Sequence, residues 1–146
     1  AGVSGAFVAA HSTLIDYLVN RARTYIYTTA QPPLLAHALL TSIDIIRSED
    51  WRREHVRALA RELLDGLGDC GEKLVASPTA IQPFMLGDVD SALNAARALE
   101  TRGFLVPAIR PPTVPRGAAR LRISLSAAHR LDDVRRLARA IREVVK

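Results

Sequence analysis

The sequence predicts an α/β protein whose C-terminal half is a small α+β domain with an antiparallel sheet and helices on one face. Two observations carry this prediction. A helical apolar period runs from Pro32 to about residue 72, and from residue 73 the pattern changes to strands that alternate with helices. We therefore expect a leading region over residues 1–31, a long helical segment over 32–72 and the small domain over 73–146.

The leading region begins with a predicted strand at SGAFVAA, residues 4–10, because this run is short and apolar. Ser12 is then predicted to cap a helix in which Leu14 and Leu18 lie one turn apart. The run YIYTT at residues 25–29 is aromatic and β-branched, which predicts a second strand or an extended segment.

The long segment starts with adjacent prolines, Pro32 and Pro33, which suit the first turn of a helix. Apolar residues recur with the helical period on both sides of the polar patch at residues 48–50, so a kink or a break is expected there. Glycines from Gly66 onward end the helical signal. A helix of this length usually joins two substructures, so we place a domain boundary along it.

The small domain is predicted to contain several strands. Pro83 cannot donate a ladder hydrogen bond, so its strand should be an edge strand or a bulged one. The last strand alternates cleanly, with Leu121, Ile123 and Leu125 on one side. The predicted strands are KLVAS, AIQPFML, FLVPAI and RLRISLS, at residues 73–77, 80–86, 104–109 and 120–126.

Two helices are predicted beside these strands. Asp90 is expected to cap the first, and Gly103 to end it. The second carries Asp132 and Asp133 in its first turn, where the helix dipole favours acids. The expected apolar faces are Leu93, Ala96 and Leu99 on the first helix, and Leu131, Val134, Leu137, Ile141 and Val144 on the second.

Composition and charge argue against several classes of protein. Hydrophobic residues make up 49% of the chain and charged residues 24%, which is typical of a soluble globular protein and not of a disordered one. No stretch approaches the ~20 apolar residues that a membrane helix needs, so no membrane partner is expected. The net charge is +5, but the arginines are interspersed with acids and aromatics are only 5%, which favours a solvated surface over nucleic-acid binding.

Cysteine and histidine usage predicts neither disulfides nor a metal. The single cysteine, Cys70, excludes an internal disulfide framework and favours a reducing, cytoplasmic setting. The four histidines are scattered without partners at ligand spacing, so no metal site is expected. His129 lies near a predicted helix start and is interpreted as structural. The start of the chain lacks a basic region, so it is not interpreted as a signal peptide.

The segment AIRPPTVPRGAARLRISLSAAH, residues 108–129, is the strongest candidate for a site. Pro111, Pro112 and Pro115 fix backbone φ angles, so neighbouring side chains are presented at small entropic cost. Arg110 precedes a proline and is pushed toward an extended backbone, where its guanidinium could bind a carboxylate through two parallel hydrogen bonds. From these residues alone, a rigid surface turn with a solvated arginine is the favoured interpretation.

The same segment resembles the C-terminal signature of the α-oxoamine synthase family, which depends on pyridoxal phosphate. GVSGAF resembles the stretch just after that family's cofactor lysine, IYTTAQPP the segment leading into its interdomain helix, and AIQPFMLGD the first strand of its small domain. These matches occur in the family's order and cover essentially the whole chain. The string RPPTVP is the most specific, and it is similar to the branch that uses alanine.

The resemblance implies the fold type I architecture of pyridoxal-phosphate-dependent transferases. Residues 1–31 would be the tail of the large cofactor-binding domain, and 73–146 the small domain. The implied reaction is a decarboxylative condensation of L-alanine with a pimeloyl thioester, carried on CoA or on acyl carrier protein, in biotin biosynthesis. A homodimer with shared active sites is also implied. The alternatives are a branch that uses glycine and a short acyl-CoA, of the 2-amino-3-ketobutyrate ligase or 5-aminolevulinate synthase type, and, more remotely, a basic nucleic-acid-binding module.

Some residues of this chain match functional positions of the family, and the resemblance implies the same roles for them. Arg110 would bind the amino-acid carboxylate, and Thr113 would contact the substrate. Thr29, together with Thr28, would reach the cofactor phosphate of the neighbouring subunit, although a threonine on a strand surface is an equal alternative for Thr28. The cofactor lysine is expected two residues before Ala1. No catalytic residue is therefore expected in this chain, and the isolated 146-residue piece is expected to be inactive.

Overall fold

A computed structural model describes residues 2–145, which divide into two compact units. The first unit extends to Asp50 and the second begins at Trp51. The polar patch predicted to be a kink or a break is a break, because one helix ends at Ser48 and the next begins at Trp51. Across the described residues, no helix combines the length and the apolar character needed to cross a bilayer.

The first unit is helical in its described residues. The helix predicted after Ser12 is confirmed, but its cap is His11, whose ring Nδ1 accepts a hydrogen bond from the Thr13 N–H at 3.3 Å. Pro33 occupies the first helical position of the third helix, as its fixed φ favours. The helices are α1 (Ser12–Arg21), α2 (Arg23–Ile26) and α3 (Pro33–Ser48).

The strands predicted for this unit do not form within its described part. Residues 4–10 are irregular and exposed, and the Phe7 side chain is 90% exposed. In place of the strand predicted over residues 25–29, α2 runs to Ile26 and an irregular segment follows it. A strand needs a neighbouring strand to pair its backbone N–H and C=O groups. None is present in the described first unit, so these β-prone runs stay irregular.

The second unit contains a three-stranded antiparallel sheet with helices on one face, as predicted. Its described strands are β1 (Ile81–Gly87), β2 (Ala108–Ile109) and β3 (Ala119–Ser124). Its helices are α4 (Trp51–Leu67), α5 (Val89–Glu100) and α6 (Leu131–Val144), and a 3₁₀ helix at Gly68–Lys73 follows α4.

The central strand of the sheet is β3, which pairs antiparallel with β1 on one side and with β2 on the other. Its predicted alternation is confirmed, because Leu121 and Ile123 are buried whereas Arg122 is exposed. Phe84 of β1 lies opposite Leu121 and is fully buried. Pro83 lies in β1 at the edge of the sheet, where a residue without an N–H is tolerated.

The core of the second unit lies between the buried face of the sheet and the three helices. Gly66 on α4 lets α6 approach closely, because a Cβ at this position would lie only 2.8 Å from the Ala138 Cβ. Glu62 and Arg135 join the same two helices at the surface, with 2.6 Å between Oε1 and Nε. The helices contribute Leu59, Leu63, Leu67, Ala95, Leu99, Val134, Leu137, Ala138, Ala140 and Ile141 to this core.

Details of this unit differ from the sequence-based expectations. Asp88, and not Asp90, caps α5, because its carboxylate accepts a hydrogen bond from the Ser91 N–H at 2.8 Å. That bond holds the pKa of Asp88 below its ordinary value. The fully buried residues of α5 are Ala92, Ala95 and Leu99, whereas Leu93 and Ala96 of the predicted face are only half-buried. The strand predicted at 104–109 shortens to β2, and the strand predicted at 73–77 shortens to one bridge between Leu74 and Phe84.

Candidate functional site

Arg110 directly follows β2 and starts a tight turn. The Thr113 N–H donates a hydrogen bond to the Arg110 carbonyl oxygen at 3.0 Å, so the chain reverses direction within four residues. The peptide bond between Pro111 and Pro112 is cis. Arg110 and Thr113 therefore lie at the two ends of a single proline-filled turn, and both are exposed.

The sheet anchors the start of this turn. Ile109 pairs with Arg120, and Ala108 pairs with the fully buried Leu121 of the central strand. One residue earlier, the Pro107 carbonyl oxygen accepts a hydrogen bond from the Arg122 N–H at 2.9 Å. The backbone that carries the Arg110 guanidinium is thus fixed to the core of the second unit.

The far side of the loop is fixed as well. The Ala118 N–H donates to the Pro115 carbonyl oxygen at 3.2 Å. Gly117 has a φ of 78°, in the left-handed region that favours glycine. The Arg120 Nε donates to the Ala118 carbonyl oxygen at 3.0 Å. The loop is therefore closed by hydrogen bonds on both sides before β3 begins.

The segment that carries this turn is rich in positive charge. Residues 101–131 contain six arginines and no Asp or Glu. Within the part of the chain that the structure describes, Arg110 has no ion pair and its side chain makes no hydrogen bond. A guanidinium left unpaired beside a rigid turn is well suited to bind a carboxylate through two parallel N–H···O bonds.

Thr28 and Thr29 lie in the first unit, in the irregular segment after α2. The Thr28 N–H donates to the Tyr25 carbonyl oxygen at 3.4 Å, while both threonines are exposed. Neither hydroxyl makes a hydrogen bond to any other described residue. Two unpaired hydroxyls are chemically suited to donate to phosphate oxygens, so these residues fit a phosphate group.

His129 has structural contacts. Its ring Nδ1 accepts a hydrogen bond from the Ser126 N–H at 3.2 Å, and its carbonyl oxygen accepts one from the His55 Nε2 at 2.9 Å. These bonds join α4 to the turn that precedes α6. Cys70 is half-buried at the edge of the core. Residues 2–145 include no group of three His, Cys, Asp or Glu side chains placed to hold a metal ion.

Arg120 and Gly117 were not predicted as site residues, although both shape the candidate site. Arg120 belongs to the alternating RLRISLS run, and alternation indicates only that its side chain leaves the core. The left-handed backbone at Gly117 could have been predicted, because a glycine between a proline-rich turn and a strand often adopts that conformation.

Comparison with known proteins identifies the family. Residues 1–141 match the family described as aminotransferase class I and II. The chain belongs to that family. The prediction of a fold type I architecture is therefore confirmed.

Several curated relatives of this chain share one name. It is 58% identical over 140 residues to an 8-amino-7-oxononanoate synthase of Marinobacter nauticus, with 96% of this chain and 36% of that protein covered. It is 53% identical over 144 residues to the synthase of Alkalilimnicola ehrlichii, with coverages of 99% and 37%. The chain thus spans just over a third of the length of these relatives, and the predicted family resemblance is confirmed.

Solved structures agree on the fold. A serine palmitoyltransferase of Sphingomonas wittichii superposes with a TM-score of 0.81 at 29% identity, covering 94% of this chain and 35% of that one. The 8-amino-7-oxononanoate synthase of Francisella tularensis superposes with a TM-score of 0.76 at 24% identity, covering 94% and 40%. The second likeness concerns the fold alone.

Proposed function

We propose that this chain is the C-terminal part of an 8-amino-7-oxononanoate synthase. Such an enzyme condenses L-alanine with a pimeloyl thioester, on CoA or on acyl carrier protein, and releases carbon dioxide in biotin biosynthesis. The observation that carries the proposal is the rigid turn from Arg110 to Thr113. Identities above 50% to relatives of that name support it.

Arg110 holds the alanine carboxylate in this proposal. Its guanidinium offers two parallel N–H donors, and the pairing of β2 with β3 fixes the backbone beneath it. Because the side chain has no competing partner among the described residues, no existing ion pair must break when the substrate arrives. Thr113, at the other end of the turn, places a hydroxyl where it contacts the bound substrate.

The proposed cofactor is pyridoxal phosphate. When bound, it supplies an electron-withdrawing ring that stabilises negative charge developing at the α-carbon of the amino acid. Thr29, with Thr28, donates hydroxyl hydrogen bonds to its phosphate across a homodimer interface. The lysine that attaches the cofactor is expected two residues before Ala1. Residues 1–31 then belong to the large domain and 73–146 to the small one, in a cytoplasmic enzyme.

The test uses the intact synthase that contains this chain. We expect product from L-alanine with a pimeloyl thioester, and little from glycine with acetyl-CoA or succinyl-CoA. Arg110→Ala should lower kcat/KM for alanine by a factor on the order of 100, because two charge-assisted hydrogen bonds are lost. Arg116→Ala, an exposed arginine of the same loop, is the matched control and should stay within about twofold of the parent.

Two outcomes contradict the proposal. Faster turnover of glycine with a short acyl-CoA would assign the chain to another branch of the family. Equal losses in Arg110→Ala and Arg116→Ala would remove the carboxylate role from Arg110. The isolated 146-residue chain is a separate case, since we propose that it is inactive. Stable labelling of Lys73 or Lys146 after incubation with pyridoxal phosphate and borohydride would contradict that part.

A further inference from the structure

A groove in the second unit is lined by four arginines, Arg52, Arg53, Arg57 and Arg61 of α4. Its opposite wall is the loop at residues 77–80, and its floor is apolar. None of the described residues that line it is acidic. The groove therefore combines positive charge along one wall with an uncharged floor, which suits a partner that is both acidic and partly apolar.

The wall opposite the arginines is rigid. Gln82, only 3% exposed, donates from Nε2 to the carbonyl oxygens of Ser77 at 3.2 Å and Thr79 at 2.6 Å. The Ala80 carbonyl oxygen accepts a hydrogen bond from the Leu125 N–H at 2.8 Å. Because these bonds fix the loop from beneath, the groove does not have to be ordered when a partner binds.

Three of the arginines form a stripe along α4. Arg53, Arg57 and Arg61 follow one another at intervals of four residues, so the stripe is about 12 Å long. Like charges at this spacing destabilise a helix. Arg57 and Arg61 have neither an ion-pair nor a hydrogen-bond partner among residues 2–145. The adjacent Glu62 is already bound to Arg135 and does not neutralise the stripe.

The groove and the candidate carboxylate site lie at opposite ends of the same strand. Arg120 of β3 pairs next to the Arg110 turn, whereas Leu125 contacts the loop that forms the groove wall. Five residues of extended chain separate these ends, a span of about 17 Å. A phosphopantetheine arm is suited to bridge such a span between a docking surface and a reacting thioester.

We propose that this arginine groove docks the acidic surface of the carrier protein that delivers the acyl thioester. The inference rests on the proposed function and selects the protein-bound donor over the CoA-bound one. The straight, open stripe favours an acidic helix lying alongside α4. A nucleic acid is less well matched, because none of the described residues that line the groove has an aromatic side chain on which a base could stack.

The test measures the KM of the intact synthase for two donors, pimeloyl-carrier protein and pimeloyl-CoA. Arg57→Glu/Arg61→Glu should raise the KM for the carrier-protein donor by roughly 10-fold or more, with a weaker salt dependence, because the attractive charges are reversed. The KM for pimeloyl-CoA should change by less than about twofold. The matched control is Arg97→Glu/Arg139→Glu, which reverses two exposed arginines on α5 and α6.

A second variant separates docking from folding. Arg57→Glu alone places a glutamate four residues from Arg53 and four residues from Arg61. Because opposite charges at this spacing stabilise a helix, α4 should be at least as stable as in the parent. Its KM for the carrier-protein donor should nevertheless rise, while its Tm is unchanged or higher. Loss of activity that follows a lowered Tm, with both donors affected equally, would overturn the proposal.

The remaining outcomes are also decisive. A raised KM for pimeloyl-CoA alone would assign the groove to nucleotide phosphates and overturn the inference, as would no change with either donor. If the parent enzyme turns over neither donor, the proposed function fails. Binding of fluorescently labelled holo-carrier protein to the parent, to Arg57→Glu/Arg61→Glu and to the control then still tests the groove by itself.

Discussion

The two units of the chain differ in how much of their apolar surface they bury. In the second unit, α4, α5, α6 and the sheet enclose a shared core. In the described residues of the first unit, by contrast, α1, α2 and α3 bury no residue completely, and side chains such as Phe7 and Tyr27 are exposed. A β-prone or amphipathic sequence pattern therefore forms its structure only where the elements that it pairs or packs with are present.

Separating the two units should produce a greater change than any single substitution. Residues 51–146 should fold alone and unfold cooperatively on heating, because every completely buried apolar residue of the described chain lies in that unit. Residues 2–50 should show no cooperative transition, because burial of apolar surface is the main driving force of folding. Circular dichroism melts of both pieces measure this. A cooperative melt of the 2–50 piece would contradict the comparison.

The next effect is a contrast between two leucine substitutions. Leu63 is fully buried in α4, so Leu63→Ala should lower the free energy of unfolding by about 2–5 kcal/mol. Leu34→Ala, in the first unit, should change it by less than about 0.5 kcal/mol, because the Leu34 side chain is 75% exposed. Urea denaturation of the 2–145 chain gives both values. Similar losses at the two positions would show that the first unit also holds a core.

The same contrast explains which parts of the fold were predictable. The alternation of β3 and the stripe of α6, apart from Leu131, which is exposed, were predicted because each pattern faces a core within this chain. The strand predicted over residues 4–10 was wrong because its pairing partner is not in the described first unit. Sequence could not distinguish Asp88 from Asp90 as the cap of α5, because only the backbone geometry shows which carboxylate reaches the Ser91 N–H.

The candidate site was predictable to a similar extent. The prolines indicated a rigid turn beside Arg110, and the structure closes that turn with the hydrogen bond from Thr113. The carboxylate role came from the family resemblance and stays a prediction. The bond from Arg120 to Ala118 depends on tertiary geometry, which alternation in a sequence does not specify. The arginines of α4 were interpreted as a solvated surface, because a sequence does not show that Arg57 and Arg61 lack ion-pair partners among the described residues of the folded chain.

The smallest expected effect concerns the pH dependence of the second unit. The Ser91 N–H stabilises the charged carboxylate of Asp88 and holds its pKa below the ordinary value of 3.8. A carboxyl whose pKa is lower in the folded state stabilises the fold above its unfolded pKa, and this contribution is lost as the pH falls through the folded pKa. The Tm of residues 51–146 should therefore fall as the medium is acidified below about pH 4.

Asp88→Asn isolates this contribution. Asparagine keeps a side-chain oxygen that caps the helix but does not titrate in this range, so the variant should lose less Tm between pH 5 and pH 2 than the parent does. Asp90→Asn removes a carboxylate from the same helical turn and leaves the cap in place, so it serves as the matched control. The contrary outcome is that Asp90→Asn reduces the pH dependence of the Tm as much as Asp88→Asn does. The total charge of the first helical turn would then be the cause, and not the cap at Asp88.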